Sequence, residues 1–398
     1  MKNTWRFGDL EFRYVREVLD SGFGSSTSGN MNNRFEKAFA NKAGVKYAIS
    51  FNSGTSTLHA ALAAVGVGAG DEVIIPALTV ISNADVVLAQ NAIPVFADIQ
   101  EDTYNIDPVD VERRITPNTK AIMPVSLYGL PCDLDALMIL GRKYGIPVIH
   151  DAAQAHMAVY KGRPIASIAD ITSYSLENSK HITTGDGGIV VTNDEMLAGL
   201  MRKMGSLGYA ALTPGDGRIR MNKLIFQDPR YKRHDEYGCN YRMPEVAAAV
   251  GLAQVERMEF FIKLRLDIAA MYADALRSCP YLRPQAVPSE YQNTYWCYAV
   301  KYEREDVSWY DFRDTYMSFG GDGIYAAWAL TYDETLFCSG RFRERAPHYY
   351  RDCVYPRGCC PVAERVQPKL MQFVNNYGSI EDAEPKVEAL RKTIAHFQ

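Results

Sequence analysis

Between residues 45 and 192, short runs rich in Val, Ile and aromatic residues take turns with segments of helical composition, and no other feature restricts the fold as strongly. VKYAISF (45–51), DEVIIPA (71–77), IPVFADI (93–99), AIMPVSLYG (121–129), IPVIHDAA (146–153), ITSYSL (171–176) and IVVT (189–192) read as strands. SGTSTLHAALAAVGV (53–67) opens on small hydroxyl residues and continues as an alanine-rich helix. Strands separated by helices form βαβ units and a mainly parallel sheet, whose strands are apolar throughout because helices cover both faces. The expected fold class is α/β.

Around residue 243 the alternation stops. PEVAAAVGLAQVERMEFFIKLRLDIAAMYADAL (244–276) reads as one long helix linking two domains. TYWCYAVKY (294–302) follows as a strand, SWYDFRDTYMSFG (308–320) as a helix and GIYAAW (323–328) as a strand; then come a loop-rich stretch and a final helix from about 380. The division expected is a large domain over 1–250 and a smaller α+β domain over 251–398, consistent with a chain of 398 residues.

Charge excludes one class of partner. A net charge of −4 and a pI near 6.0 do not suit a nucleic-acid binder. The densest basic stretch, RIRMNKLIFQDPRYKRHDE (218–236), is broken by acids and apolar residues. It reads as a solvated loop, or as a contact for a small acidic substrate. The N-terminus, MKNTWRFGDLEF, lacks the pattern of a signal peptide, and no window approaches the roughly 18 apolar residues of a membrane span. The eight cysteines form no CxxC pair and no metal spacing, so reduced thiols in a cytoplasmic protein and no metal site are expected.

Chemistry concentrates at three strand ends, where open α/β sheets bind ligands. After SFN come Gly54, Thr55 and Ser56 at a helix N-terminus, whose free N–H groups and dipole favour a phosphate; Ser and Thr are also ordinary N-caps. The stretch matches neither G-x-x-x-x-G-K-[ST] nor G-x-G-x-x-G, which excludes the P-loop and dinucleotide patterns. Asp151 ends an apolar run, either as an N-cap or as a buried anion that needs a cation. Ser175 ends ITSYS, and Lys180 stands on the lip of the turn TTGDGG. A solvated lysine is the ordinary reading of Lys180 taken alone. Taken together, a phosphate cradle, a buried carboxylate and an amine are the set that pyridoxal 5′-phosphate requires.

The chain resembles the DegT/DnrJ/EryC1/StrS sugar aminotransferases, which share the aspartate aminotransferase fold (fold type I). The motifs are NSGTSTLHAAL, GAGDEVIIPALT, IPVFADI, VSLYGLPCDLDAL, HDAAQAHMA, YSLENSKHITTGDGGIVVTND and GCNYRMPEVAAAVGLAQVERM, running over nearly the whole chain. The resemblance implies that Lys180 carries the cofactor as a Schiff base and that Asp151 pairs with its pyridinium. It also implies that Gln154 lies by the phenolic oxygen, and that Ser56 and Ser175 hold the phosphate. Asn240, in GCNYRM, would reach the phosphate of the neighbouring subunit's cofactor, so a homodimer with shared active sites is expected.

The pattern is departed from in places. Val80 stands where the family stacks an aromatic residue on the pyridine ring, with His156 a candidate substitute. Asp186 makes GEGG into GDGG, the segment 209–236 is long, and GGDGIYAAW (320–328) carries aromatics where substrate is contacted.

The activity implied is transfer of an amino group from glutamate or glutamine to a keto-sugar, most commonly nucleotide-linked. A cyclitol or small phosphorylated ketone is a variant acceptor. The dehydratase branch of the family replaces the lysine with histidine, so Lys180 argues against it. A non-catalytic sugar-nucleotide binder would not need Lys180, Asp151, Gln154 and the phosphate serines together.

Overall fold

A computed structural model describes residues 5–398, apart from the side chain of Lys223. The strands of the first half assemble as one mixed sheet. Ile93–Ala97, Glu72–Pro76 and Thr119–Ile122 run parallel, with Glu72–Pro76 between the other two. Parallel bridges from Ile122 to Val148 and from Val125 to Asp151 continue the sheet into Ile149–Asp151, then Ile171–Ser175, Gly188–Thr192 and Tyr47–Phe51. The strand Gly188–Thr192 is antiparallel to both its neighbours, so the sheet is parallel only in part. The reason is local. A parallel return needs a crossover of a dozen or more residues, usually a helix. Residues 176–187 contain no helix, so the chain turns straight back, and Lys180 rides on that return loop.

The carboxyl ends of Tyr47–Phe51, Ile149–Asp151 and Ile171–Ser175 therefore lie at one edge of the sheet. The helix Gly54–Ala64 starts there with a capping box: Ser53 Oγ accepts from the Ser56 N–H, and Ser56 Oγ accepts from the Ser53 N–H. This helix buries Leu58, Ala60, Ala61 and Leu62. The small side chains let it approach the strands closely.

The expected linking helix is two helices, Glu245–Glu256 and Met258–Leu276, broken at Arg257 (φ −104°, ψ 6°). Arg257 leaves the helical region where its guanidinium reaches Glu11, 2.8 Å away, and the carbonyl of Arg6. Beyond it, Leu282–Pro284, Tyr298–Tyr302, Leu370–Phe373 and Tyr325–Ala326 form an antiparallel sheet in that order. Leu370–Phe373 lies inside the stretch expected as loops; all four of its residues are buried.

That loop-rich stretch is also not all associated with the C-terminal sheet. Tyr332, Phe337, Phe342 and Tyr350 join the core built around the first sheet, with Phe96 in edge contact with Tyr332, Phe337 and Tyr355. Tyr355 donates to the carbonyl of Pro94 (2.8 Å), so the segment covers the exposed edge of the strand Ile93–Ala97. A separate core includes Ile268, Tyr272, Tyr298, Val300, Phe312, Phe373 and Leu390. No described helix is long and apolar enough to cross a membrane.

Candidate active site

The shared strand edge opens into a cleft of about 500 Å³. Gly54, Thr55, Val80, Asp151, Gln154, Ser175 and Lys180 all line it, from six separate places in the chain.

Glycine is required at two close backbone approaches that shape the cleft. A Cβ on Gly54 would stand 2.9 Å from the Cβ of Ser175, and one on Gly188 would stand 2.4 Å from the carbonyl oxygen of Ser53. Bare backbone lets the helix start press against the strand ends, which brings the Gly54 and Thr55 N–H groups beside the Ser175 hydroxyl. Free amides at a helix N-terminus next to a hydroxyl make a phosphate cradle.

Asp151 is buried at the far wall. Its Oδ1 accepts from the Ala153 N–H (2.9 Å) and its Oδ2 from Asn83 Nδ2 (3.0 Å), while Asn83 is itself held by the hydroxyl of Thr79 (2.8 Å). Burial raises its pKa, and those two hydrogen bonds and the Lys180 charge oppose the rise. No cationic side chain among the described residues forms an ion pair with it. A buried, oriented carboxylate with this surplus suits a protonated ring nitrogen.

Gln154 is oriented by a neighbour. Its Oε1 accepts from the Tyr128 N–H (2.7 Å), which leaves the amide Nε2 as the donor available to the cleft. Tyr128 reaches that position with a left-handed backbone, φ +61°.

Lys180 is buried on the return loop, and its Nζ lies 4.5 Å from the centroid of the Trp296 ring. Burial lowers its pKa; Glu177 and Asp151 oppose the fall, and Arg265 adds to it. Glu177 shapes the loop by accepting from the N–H and the hydroxyl of Ser179 (3.0 and 2.6 Å).

Three of the residues singled out in the sequence lie outside the lining of the cleft, and for Asn240, expected at the partner's site, that is the position anticipated. Ser56 does not line the cleft: its hydroxyl donates to Asn52 Oδ1 (2.8 Å) and serves the capping box. His156 does not cover a ring face there either. It is buried beside Tyr174 and His181, and burial takes its pKa down to about 3, so it is neutral. Asn240 is exposed and lies outside the cleft of its own chain, bridged to Ser206, while the carbonyl of the adjacent Tyr241 accepts from the Asn52 N–H at the cradle (2.8 Å). Asp186 is exposed at the cleft rim.

Sequence reasoning missed Asn83, Thr79 and Trp296. A polar pair spaced four apart across Val80 was the available signal for the first two. Trp296 had none, because it was read as part of a strand. Trp296 and Trp328 stack with ring centroids 5.7 Å apart and planes 19° apart, and they separate the cleft from a second cavity of about 380 Å³ lined by Cys297, Tyr325, Gln372 and Asn376.

A cradle of amides and a hydroxyl, a buried carboxylate and a desolvated lysine on a type I fold define a pyridoxal-phosphate-dependent transferase. Residues 7–324 match the DegT/DnrJ/EryC1/StrS aminotransferase family, and the chain belongs to that family. It is an aminotransferase, and the family's cofactor is pyridoxal 5′-phosphate. The GDP-perosamine synthase of Caulobacter vibrioides is 40% identical over 297 residues, covering 74% of this chain and 75% of the relative. The spore coat polysaccharide biosynthesis protein SpsC of Bacillus subtilis is 37% identical, covering 75% and 74%. The X-ray structure of an aminotransferase from Psychrobacter cryohalolentis superposes with a TM-score of 0.85 at 30% identity, covering 98% of each chain.

Proposed function

We propose that this chain moves an amino group from glutamate or glutamine to a nucleotide-linked keto-sugar, in the biosynthesis of an amino sugar for a surface polysaccharide or natural product. The observation that carries the reading is the convergence of Lys180, Asp151 and the Gly54–Thr55 amides in one cleft. The relatives named for GDP-perosamine and spore coat polysaccharide support the acceptor class.

When bound, pyridoxal phosphate supplies an electron sink for the bond next to the substrate nitrogen. The remaining work falls to the protein. Gly54, Thr55 and Ser175 hold the phosphate, and Asp151 keeps the ring nitrogen protonated. Gln154 donates to the phenolic oxygen. Lys180 would anchor the cofactor and is the amine placed to hold or release a proton there; burial lowers its pKa, which favours its acting as a base. Val80 and the Trp296 ring keep water from the reacting face.

The reading includes a homodimer in which Asn240 of one protomer reaches the cofactor phosphate of its partner; its exposure beside the cradle supports this. It also includes a division of labour between residues 1–250, which hold the cofactor, and residues 251–398. Eight free cysteines support a cytoplasmic location.

Borohydride reduction followed by peptide mass spectrometry tests the cofactor assignment, with the label expected on the peptide containing Lys180. A panel of keto-sugar nucleotides, GDP-linked ones first, tests the acceptor. Label on another lysine, or amination of cyclitols alone, overturns the corresponding half.

A further inference from the structure

Arg265 is a buried cation without an acid. It sits on the helix Met258–Leu276 and is 3% exposed. Every acceptor of its guanidinium is neutral. Nη2 donates to the carbonyls of Ser179 (3.0 Å) and Lys180 (3.1 Å) and to Asn376 Oδ1 (2.8 Å); Nη1 donates to the carbonyls of Trp296 (2.7 Å) and Tyr295 (3.4 Å). One planar fork thus grips the lysine loop, the segment carrying the indole beside Lys180, and the chain just past the strand Leu370–Phe373.

The neighbours reinforce that grip. Asn375 donates to the carbonyls of Arg265 (3.1 Å) and Tyr295 (2.9 Å), and Trp296 Nε1 donates to Ser179 Oγ (3.1 Å). Arg6, also buried, donates to the carbonyls of Asn178 and Lys180 from the other side. Burying an arginine among carbonyls forgoes the attraction of a carboxylate, and for stability alone a paired or apolar residue would serve better. The arrangement makes sense if the charge itself and the position of the fork matter to the group it faces.

We infer that Arg265 is the positioning residue for Lys180: its fork on the carbonyls of Ser179, Lys180 and Trp296 sets where the amine stands against the Trp296 ring and places an unpaired cation behind the Lys180 loop. The inference rests on the reading that Lys180 carries the cofactor. The groups facing Lys180 are Glu177 on its own loop, Asp151 from the strand end, Arg265 from the helix, Cys297 beyond Trp296, Arg6 from the N-terminal segment and the buried imidazoles of His156 and His181. Glu177 and Asp151 favour the proton; Arg265 opposes them.

The test separates charge from position in the holoenzyme. Asn376→Asp leaves the fork in place and hands it a carboxylate, and Arg265→Met removes the charge. In both, the pH midpoint of the visible absorbance band, which reports the proton on the lysine nitrogen, should rise by about one unit, the size of effect a nearby charge produces. Arg265→Lys keeps the charge but loses the fork. Its midpoint should stay within a few tenths of wild type while kcat falls about a hundredfold with little change in donor KM, as expected for a displaced amine. An unchanged midpoint in Asn376→Asp, whatever becomes of Arg265→Met, overturns the electrostatic role. An unchanged kcat in Arg265→Lys overturns the positioning role. Borohydride labelling of wild type keeps the two readings apart: label on Lys180 with unmoved midpoints refutes only this inference, and label elsewhere refutes the cofactor assignment.

Discussion

The two sides of the cleft are built differently. On the side of the first sheet, polar groups are locked by short-range hydrogen bonds: Thr79 holds Asn83, Asn83 holds Asp151, and the Tyr128 amide holds Gln154. On the side reached after residue 290, Trp296 and Trp328 stack as an aromatic wall, and the Trp296 indole N–H donates to Ser179. The difference separates two tasks. Holding a charged cofactor demands donors and acceptors fixed in advance, because a buried polar group without a partner is costly. Enclosing an acceptor of the proposed class demands surface and shape, which flat aromatic rings supply with few directional constraints.

If the polar side carries the chemistry, its variants should lose turnover and those of the aromatic wall should lose affinity. The largest effect is expected for Lys180→Ala, with a fall in turnover of at least about 10⁴-fold, the upper range for a positioned acid–base group. Stopped-flow measurement of the donor half-reaction checks it, and a variant within tenfold of wild type would place the base elsewhere.

Asp151→Asn should come next. Removing one member of a buried charged pair costs roughly 3–5 kcal/mol, read here as loss of cofactor and of turnover with the fold intact. Without cofactor the sign reverses. The folded-state pKa of Asp151 is raised by burial, so the folded protein takes up its proton more readily than the unfolded chain. That contribution to stability is full below the ordinary carboxylate range and is lost as pH rises through the raised value. Thermal melts of the cofactor-free protein across that window should decline with pH in wild type and less so in Asp151→Asn.

Asn240→Ala should weaken cofactor binding by about 1–3 kcal/mol, the range for a hydrogen bond to a charged group. Mixed with Lys180→Ala chains and refolded, it should regain activity, since one site of the mixed dimer escapes both lesions. No gain over the Asn240→Ala parent, or an active monomer in sedimentation, would return the site to a single chain.

The smallest effect is expected for Trp296→Ala: about a tenfold rise in acceptor KM, from an aromatic contact worth about 0.5–1.5 kcal/mol, with cofactor retained. Loss of cofactor in this variant would erase the contrast between the two sides.

Much of this was legible in the chain. The alternation of strands and helices gave the α/β class, and strand-end positions alone brought Gly54, Asp151, Ser175 and Lys180 into consideration, because parallel strands deliver their carboxyl ends to one edge. Local signals stopped short where one residue type serves two purposes. Ser56 looked like a phosphate ligand because a capping hydroxyl and a ligand hydroxyl have the same sequence signature.

The sequence by itself determined which elements form and which residues stand at their ends, since both follow from periodicity and from residues within a few positions of each other. The break at Arg257, the strand Leu370–Phe373, the aromatic wall and the charge of Arg265 over the Lys180 loop were decided only by the tertiary structure. Arg265 and Lys180 are 85 positions apart, and their meeting depends on how the helix after Arg257 is placed against the Lys180 loop. A contact over that distance leaves no periodic trace in the sequence, because its energy is gained only when the whole core closes.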